Sequence, residues 1–355
     1  MLRTIFKIGL FFLLAALPLG AHALSDLDWL HQIELPVQAQ TSEERTRVAA
    51  EGLLTVLSRV TGLASVPRSD VVVAAMAAPD RFYGSFVFYE ERDSQGARTL
   101  YLKLDYQPDA VLELIKQAQL PVWWSKRPSV MVWLVVDEQG TRRLLGSADD
   151  HPLIDAVRAR ARARGLSVSL PVLDLVERLE ISAVDVWGKV RDTLDLASER
   201  YNPDLVLVGR VSRREPILFE VRATYRGDWE VWVADEPLVS TFNDPAPQTV
   251  ARMGVDLLAD RLAEQYAVLP REQRLRSFAI AGLEDVQSYI DLMDYLNSLE
   301  FVDQVDVVAV AGGQVELQLA SPALPEQLLM LLTAEERLTV DRLHRELGAQ
   351  LIWRG

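Results

Sequence analysis

Apolar residues recur at steps of three and four after residue 41. Val48, Ala49, Gly52, Leu53, Val56, Leu57 and Val60 form one stripe, and that period predicts a helix. Thr41-Ser42-Glu43-Glu44 reads as a capping box at its start, Thr41 bonding forward and Glu44 reaching back. Gly62 suits a left-handed cap at its end. A strand at 33–37 precedes this helix, and a shorter helix runs from Ser69 to just before Pro79. Strands at 86–92 and 99–106 flank Ser94-Gln95-Gly96, a hairpin signal, and Pro108 opens a helix ending near Leu120. The order β-α-α-β-β-α over residues 24–120 predicts an α+β domain with its helices on one face of a sheet.

Residues 121–128 break the pattern and hold Trp123, Trp124, Lys126 and Arg127. They predict a linker, and a packed one, because two adjacent tryptophans are costly to leave in water. The run at 130–136 is almost continuously apolar, as in a strand buried on both faces. A helix at 150–164 stopped by Gly165, a strand at 166–170, a long helix at 182–200 and a strand at 205–211 follow. That alternation predicts a parallel or mixed sheet with right-handed crossovers. Two more strands, 218–225 and 229–234, are expected to turn at Arg226-Gly227-Asp228. A helix at 246–266 then closes an α/β domain over 129–266.

A polar linker at 267–276 leads into a third module over 277–355. Its expected elements are a strand at 278–281, a helix at 285–299 and a hairpin of 305–310 with 315–319 about Gly312-Gly313. One or two helices between Pro325 and Leu347 and a last strand at 350–353 complete the ferredoxin-like order β-α-β-β-α-β. The fold class is therefore multidomain, with α+β, mixed-sheet α/β and ferredoxin-like modules in turn.

Upstream of these domains, Arg3 and Lys7, the apolar run from Ile8 to Leu19 and Ala21-His22-Ala23 match the three parts of a secretory signal peptide over 1–23. Cleavage after Ala23 makes the expected location periplasmic. No later apolar run reaches the roughly 18–20 residues of a spanning helix, so no integral membrane segment is expected after the signal. The 355 residues contain no cysteine, which removes disulfides, thiolate nucleophiles, a cysteine-linked lipid anchor and most structural zinc sites. A formal charge of −14 repels phosphates, so nucleic acid is not an expected partner. His31, His151 and His344 lie far apart, and no metal or other cofactor is expected.

Candidate chemistry is sparse. Ser147, Asp149, Asp150 and His151 crowd together, yet the glycine spacing of a nucleophile elbow is missing, and Asp149 or Asp150 reads better as a helix cap before Pro152. Arg158, Arg160, Arg162 and Arg164 alternate with alanines and predict a salt-bridged helix, with an acidic ligand as the sharper alternative. Trp123 and Trp124, with Trp229 and Trp232, are the expected interaction surface, since exposed aromatics mark partner or glycan contacts. Trp229 and Trp232 are expected on opposite faces of their strand.

The run Glu44-Arg45-Thr46-Arg47-Val48-Ala49 through Val60-Thr61-Gly62, followed by Trp123-Trp124, resembles an exported family of Gram-negative bacteria catalogued as domain of unknown function 2066. Residues 201–211, Tyr-Asn-Pro-Asp-Leu-Val-Leu-Val-Gly-Arg-Val, are similar to a late strand of the α/β domain shared by the amino-terminal part of TolB and curli-secretion lipoproteins. These resemblances imply assembly or scaffolding in the cell envelope, with another envelope protein as partner and no enzymatic chemistry. The alternative expectation is a periplasmic hydrolase or a non-catalytic binder of an envelope polymer, peptidoglycan or lipopolysaccharide.

Overall fold

A computed structural model describes residues 28–92, 96–123, 127–216, 222–233, 236–341 and 350–355; the expected signal peptide and Trp124 lie outside them. The first segment runs β1 (Gln32–Val37), α1 (Ser42–Thr61), α2 (Asp70–Ala77), β2 (Tyr83–Arg92), β3 (Arg98–Tyr106) and α3 (Pro108–Gln117), in the expected order. β3 lies between β1 and β2 and is antiparallel to both. The apolar stripe of α1 is buried in this segment's own core. Thr41 accepts the Glu44 N–H at 3.2 Å, and Gly62 takes a left-handed φ of 73°. Glu44 reaches past Thr41 and accepts the N–H of Gln38 at 3.2 Å, so the box is closed one turn further back than expected.

The middle segment contains β4 (Val122–Trp123), β5 (Ser129–Glu138), β6 (Thr141–Leu145), α4 (Pro152–Ala163), β7 (Ser167–Ser169), α5 (Leu175–Glu180), α6 (Ala183–Gly188), α7 (Arg191–Ser198), β8 (Leu205–Arg214), β9 (Thr224–Val233), β10 (Glu236–Asp244), α8 (Pro247–Tyr266) and β11 (Ala267–Val268). Its mixed sheet has the order β10-β9-β8-β5-β6, with β7 on the half of the β5 edge that β6 leaves free. β5 and β8 are parallel, as expected for strands joined by crossovers. The helices α4 and α8 pack on one face and build the main core. The other face carries α6 and α7, with α5 beside α7.

Three local expectations for this segment need correction. The single helix at 182–200 is two helices, because Lys189 leaves the helical path at φ 54°. The turn at Arg226-Gly227-Asp228 is the interior of β9. A Cβ on Gly227 would fall 1.9 Å from the Arg210 carbonyl oxygen, so the glycine marks a close strand approach. The partner of β9 is then β10, which the sequence reading missed. Finally, both linkers contain strands: β4 and β11 pair antiparallel, so the chain enters and leaves the middle segment through one short ribbon.

The third segment comprises β12 (Arg274–Ala281), α9 (Val286–Ser298), β13 (Gln304–Ala311), β14 (Gln314–Ser321), α10 (Pro325–Thr333), β15 (Leu338–Val340) and β16 (Gln350–Trp353). The sheet order is β13-β14-β12-β16-β15. A ferredoxin-like module would end with one strand after α10. Here β15 occupies the edge and β16 returns between it and β12, parallel to β12, giving a five-stranded mixed sheet.

Candidate functional site

Of the tryptophans expected to form a surface, the three among the described residues do not share one. Trp123 and Trp229 are buried in the main core. The indole of Trp229 lies between Gly209 of β8 and Gly254 of α8, where an added Cβ would sit 2.4 and 2.3 Å from the ring. Its Nε1 donates to the Val250 carbonyl at 2.8 Å, so it is satisfied inside the protein. Trp232 faces the opposite side of the sheet, as expected, and is half-buried at an open cleft of about 430 Å³ lined with Arg191, Asp195, Glu199, Asn202 and Asp204.

The serine–histidine crowd supplies a helix cap and local hydrogen bonds. His151 is itself the N-cap of α4: its Nδ1 accepts the Leu153 N–H at 3.2 Å, a role that needs an unprotonated nitrogen. Burial, with neighbouring Glu138, Arg143, Asp149 and Arg213 as smaller influences, lowers its pKa from the ordinary 6.5. Asp149, expected as a cap, instead accepts the Gly146 N–H at 2.7 Å and pairs with Arg143 at 3.1 Å.

The arginines of α4 join the first two segments. Arg160 and Arg164 both reach Asp256 of α8 at 2.7 Å, and Arg164, fully buried, also holds Asp260 at 2.6 Å and the Gly62 carbonyl at 3.0 Å. From the other side, Arg59 of α1 donates to the Arg162 carbonyl at 2.8 Å and the Gln32 carbonyl at 2.7 Å. Arg127 donates to the Arg59 carbonyl at 2.7 Å while stacking 4.0 Å from the Trp123 ring. Burial pulls the guanidinium of Arg59 down to about 10 and that of Arg127 to about 9. The expected salt bridges are present, but they are directed inward and leave Arg160 and Arg164 committed.

A cluster of exposed apolar residues lies on the α5 side of the middle sheet. α5 is turned inside out: Glu177 is fully buried, whereas Leu175 and Leu179 are 75% and 81% exposed, with Val176 between them. The acid is held by named donors. The Leu173 N–H meets one carboxylate oxygen at 2.5 Å, the Tyr201 hydroxyl donates to the other, and Arg200 stands 3.5 Å away. Asp174 caps the helix through the Glu177 N–H at 3.0 Å; hydrogen bonds from Arg200 and then from that backbone hold its carboxyl below the ordinary range. With Glu177 fixed inward, helix geometry puts Leu175, Val176 and Leu179, at i, i+1 and i+4, on the outer face.

The same side of the sheet carries an ion cluster. The Lys189 ammonium pairs with Asp228 and, at 2.5 Å, with Glu230, and Arg210 reaches Asp228 at 2.5 Å. Burial pushes the Asp228 carboxyl up, and the hydrogen bonds from Lys189 and Arg210 outweigh it, so its pKa lies below the ordinary 3.8. Two cations and two anions balance, and the cluster clamps the bend between α6 and α7 onto β8 and β9. Among the described residues there is no group of three or more side chains suited to a metal ion, and no helix long and apolar enough to cross a membrane.

Residues 25–124 match a family model described as a domain of unknown function (DUF8605). The match spans the whole first segment and ends just after β4. No curated protein matches the chain. A solved formyltetrahydrofolate deformylase from Burkholderia mallei aligns at 14% identity over 55% of this chain and 88% of its own, with a TM-score of 0.13, a likeness too low to bear on fold or activity. The first segment is thus similar to an uncharacterised domain, under a different family number from the one the sequence resembles.

Proposed function

We propose that the protein is an exported, non-enzymatic binding or scaffolding factor of the cell envelope, and that the outer face of α5 docks its protein partner. The observation that carries this reading is the inversion of α5. Burying a carboxylate while leaving two leucines in water runs against both desolvation and the hydrophobic effect. The Glu177 hydrogen bonds hold that inversion in place, and a partner's apolar surface would relieve it. Export is supported by the signal-like pattern at 1–23 and by a family match that begins at residue 25, just past the expected cleavage. The resemblances to domain of unknown function 2066 and to the TolB-type α/β domain point to the same setting.

The test places a photo-crosslinking residue at Leu179 of the tagged, full-length protein in its native cells. The expected result is one adduct with an envelope protein, which then binds the purified protein in solution and fails to bind the Leu175→Ser/Leu179→Ser variant. Crosslinks spread over many proteins, or binding unchanged in the variant, would remove α5 as the docking face. Fractionation that leaves the chain uncleaved and unexported would remove the envelope setting.

The cleft at Trp232 supports a second reading, a glycan chain held without catalysis, because an aromatic ring beside Arg191, Asn202 and acidic groups suits a sugar. Peptidoglycan pull-down that is lost in Trp232→Ala and kept in the α5 variant would favour it.

A further inference from the structure

The third segment has a long sheet edge that is open among the described residues. Exposed edges are ordinarily blunted by charge, proline or shortness. Here β1 carries Pro36, β2 ends in Glu90-Glu91-Arg92, β6 carries Arg142 and Arg143, β10 carries Pro237, and β15 is three residues long. β13 reads Gln-Val-Asp-Val-Val-Ala-Val-Ala, eight residues with neither lysine nor proline; its one charge, Asp306, and a bulge between Val307 and Ala309 leave the Ala309–Ala311 end uncharged, and among the described residues it pairs only with β14.

Its register shows what the edge offers. Ala311 opposes Gln314 across the two-residue Gly312-Gly313 turn, a pair that exchanges hydrogen bonds in such hairpins. The next residue, Val310, therefore turns its N–H and C=O to the open side. Val310 opposes Val315 and Val307 opposes Leu317, both core residues, so these valines lie on the face that α9 covers. α9 stops short of the edge: Val310 is 62% exposed, and Val286 on the first turn of α9 is 75% exposed. Between them runs an open, largely apolar cleft of about 450 Å³, floored by Leu283 and Tyr289.

Charge selects the occupant. Residues 277–336 contain eleven aspartates and glutamates and no lysine, arginine or histidine. Asp303 is matched by Lys116 of α3 at 3.0 Å, whereas Glu284, Asp285, Asp291 and Asp306 form no ion pair among the described residues. A second copy of this chain would bring the same acids against themselves, a like-charge contact. An added strand carrying basic residues would extend the sheet, cover Val307 and Val310 and meet the acids at the rim.

We infer that β13 and the adjoining cleft beside α9 bind an extended, positively charged strand of a partner protein by sheet augmentation. This surface is separate from the α5 face, and together the two would let one molecule bridge two partners.

The probe is a fluorescent peptide alternating valine and lysine, as long as β13, titrated by anisotropy against the full chain, with a valine–glutamate peptide as control. Saturable binding of the lysine peptide alone is expected, together with slowed amide exchange in β13. Val310→Lys should weaken binding about tenfold or more by placing a cation on the edge. Val286→Arg, on α9 and outside the sheet, should act in the same direction with the thermal melt unchanged, and it keeps the test valid if the first variant alters the hairpin. Equal binding of both peptides, no change in β13 exchange, or full binding by both variants would overturn the inference. Sedimentation showing a dimer that protects β13 and excludes the peptide would overturn it in favour of self-association. The α5 variant should bind the peptide normally, so failure here and failure of the α5 reading are distinguishable.

Discussion

The two faces of the middle sheet are built from the same strands and solve opposite problems. On the α4/α8 side, β9 contributes Trp229 and Val231 to a dry core under two long helices. On the α6/α7 side, the same strand contributes Asp228, Glu230 and the half-buried Trp232 to an ion cluster and a cleft under three helices of six to eight residues. One face is stabilised by area and shape. The other adds an ion cluster to a smaller apolar core around Trp133, Val186 and Leu194, and leaves Leu175 and Leu179 exposed. On the proposed reading, the larger core and the docking face lie on opposite sides of one sheet.

That division is open to attack first at Trp229. Replacing a fully buried tryptophan removes its burial and opens a cavity between Gly209 and Gly254, so Trp229→Ala should cost about 3–5 kcal/mol in denaturant unfolding. Gly254→Ala approaches the same contact from the other side, adding a Cβ 2.3 Å from the ring, and should cost about 1–3 kcal/mol. If Trp229→Ala unfolded at the wild-type midpoint, the α4/α8 face would not be the stabilising one.

The ion cluster should come next. Lys189→Met leaves Asp228 and Glu230 facing each other with Arg210 alone. The loss should be about 2–3 kcal/mol, below that of a fully dry pair because each member keeps some contact with water. The sign of the pH effect follows from the lowered Asp228 pKa. The contribution is complete above the ordinary 3.8 and is lost as pH falls through the lower native value. Wild type and Lys189→Met should therefore converge in stability in strong acid; a constant gap down to that range would detach the cluster from Asp228.

A smaller effect belongs to His151, whose native pKa is also lowered, here by burial. The unfolded chain takes up the proton first, so the cap's contribution is full above 6.5 and declines as pH falls towards the native value. His151→Ser keeps a cap acceptor without the titration. It should match wild type within about 1 kcal/mol at neutral pH and lack the decline between neutral and mildly acid pH, read from melts across that range.

The two faces were unequally legible in the amino-acid order, for physical reasons. Period-3.6 stripes and caps identify long helices, so α1, α4 and α8 could be read from residues such as Thr41, Gly62 and Val250. The break at Lys189 could not, because Val186, Val190 and Leu194 keep helical spacing straight through it; Lys189 takes a left-handed φ of 54° there and pairs with Asp228, 39 residues away. Gly227 looked like a turn because a strand glycine and a turn glycine share one letter, and the difference is the Arg210 carbonyl across the ladder. The tryptophan surface failed for a related reason: whether a ring is buried depends on notches such as Gly209 and Gly254, which lie on other elements. The acidic run at 277–336 was fully visible, yet a search for periodicity passes over what is missing from a segment.

The face of α5 provides the sharpest form of the comparison, because its predicted effect on stability is the smallest. Leu175 and Leu179 already sit in water, so changing both to serine removes almost no buried surface and should move the unfolding free energy by no more than about 0.5 kcal/mol. Glu177→Gln is the matched control. It preserves the shape of the buried side chain, but it replaces a carboxylate that accepts from Leu173 and Tyr201 with an amide whose NH2 cannot accept. The cost there should be about 1–3 kcal/mol, and the α5 helix should show faster amide exchange. If the serine pair instead destabilised the protein as much as Glu177→Gln, the leucines would be supporting the fold rather than waiting for a partner. If it left stability alone and abolished the Leu179 crosslink, apolar exposure and structural support on α5 would be separable, as the inversion around Glu177 requires.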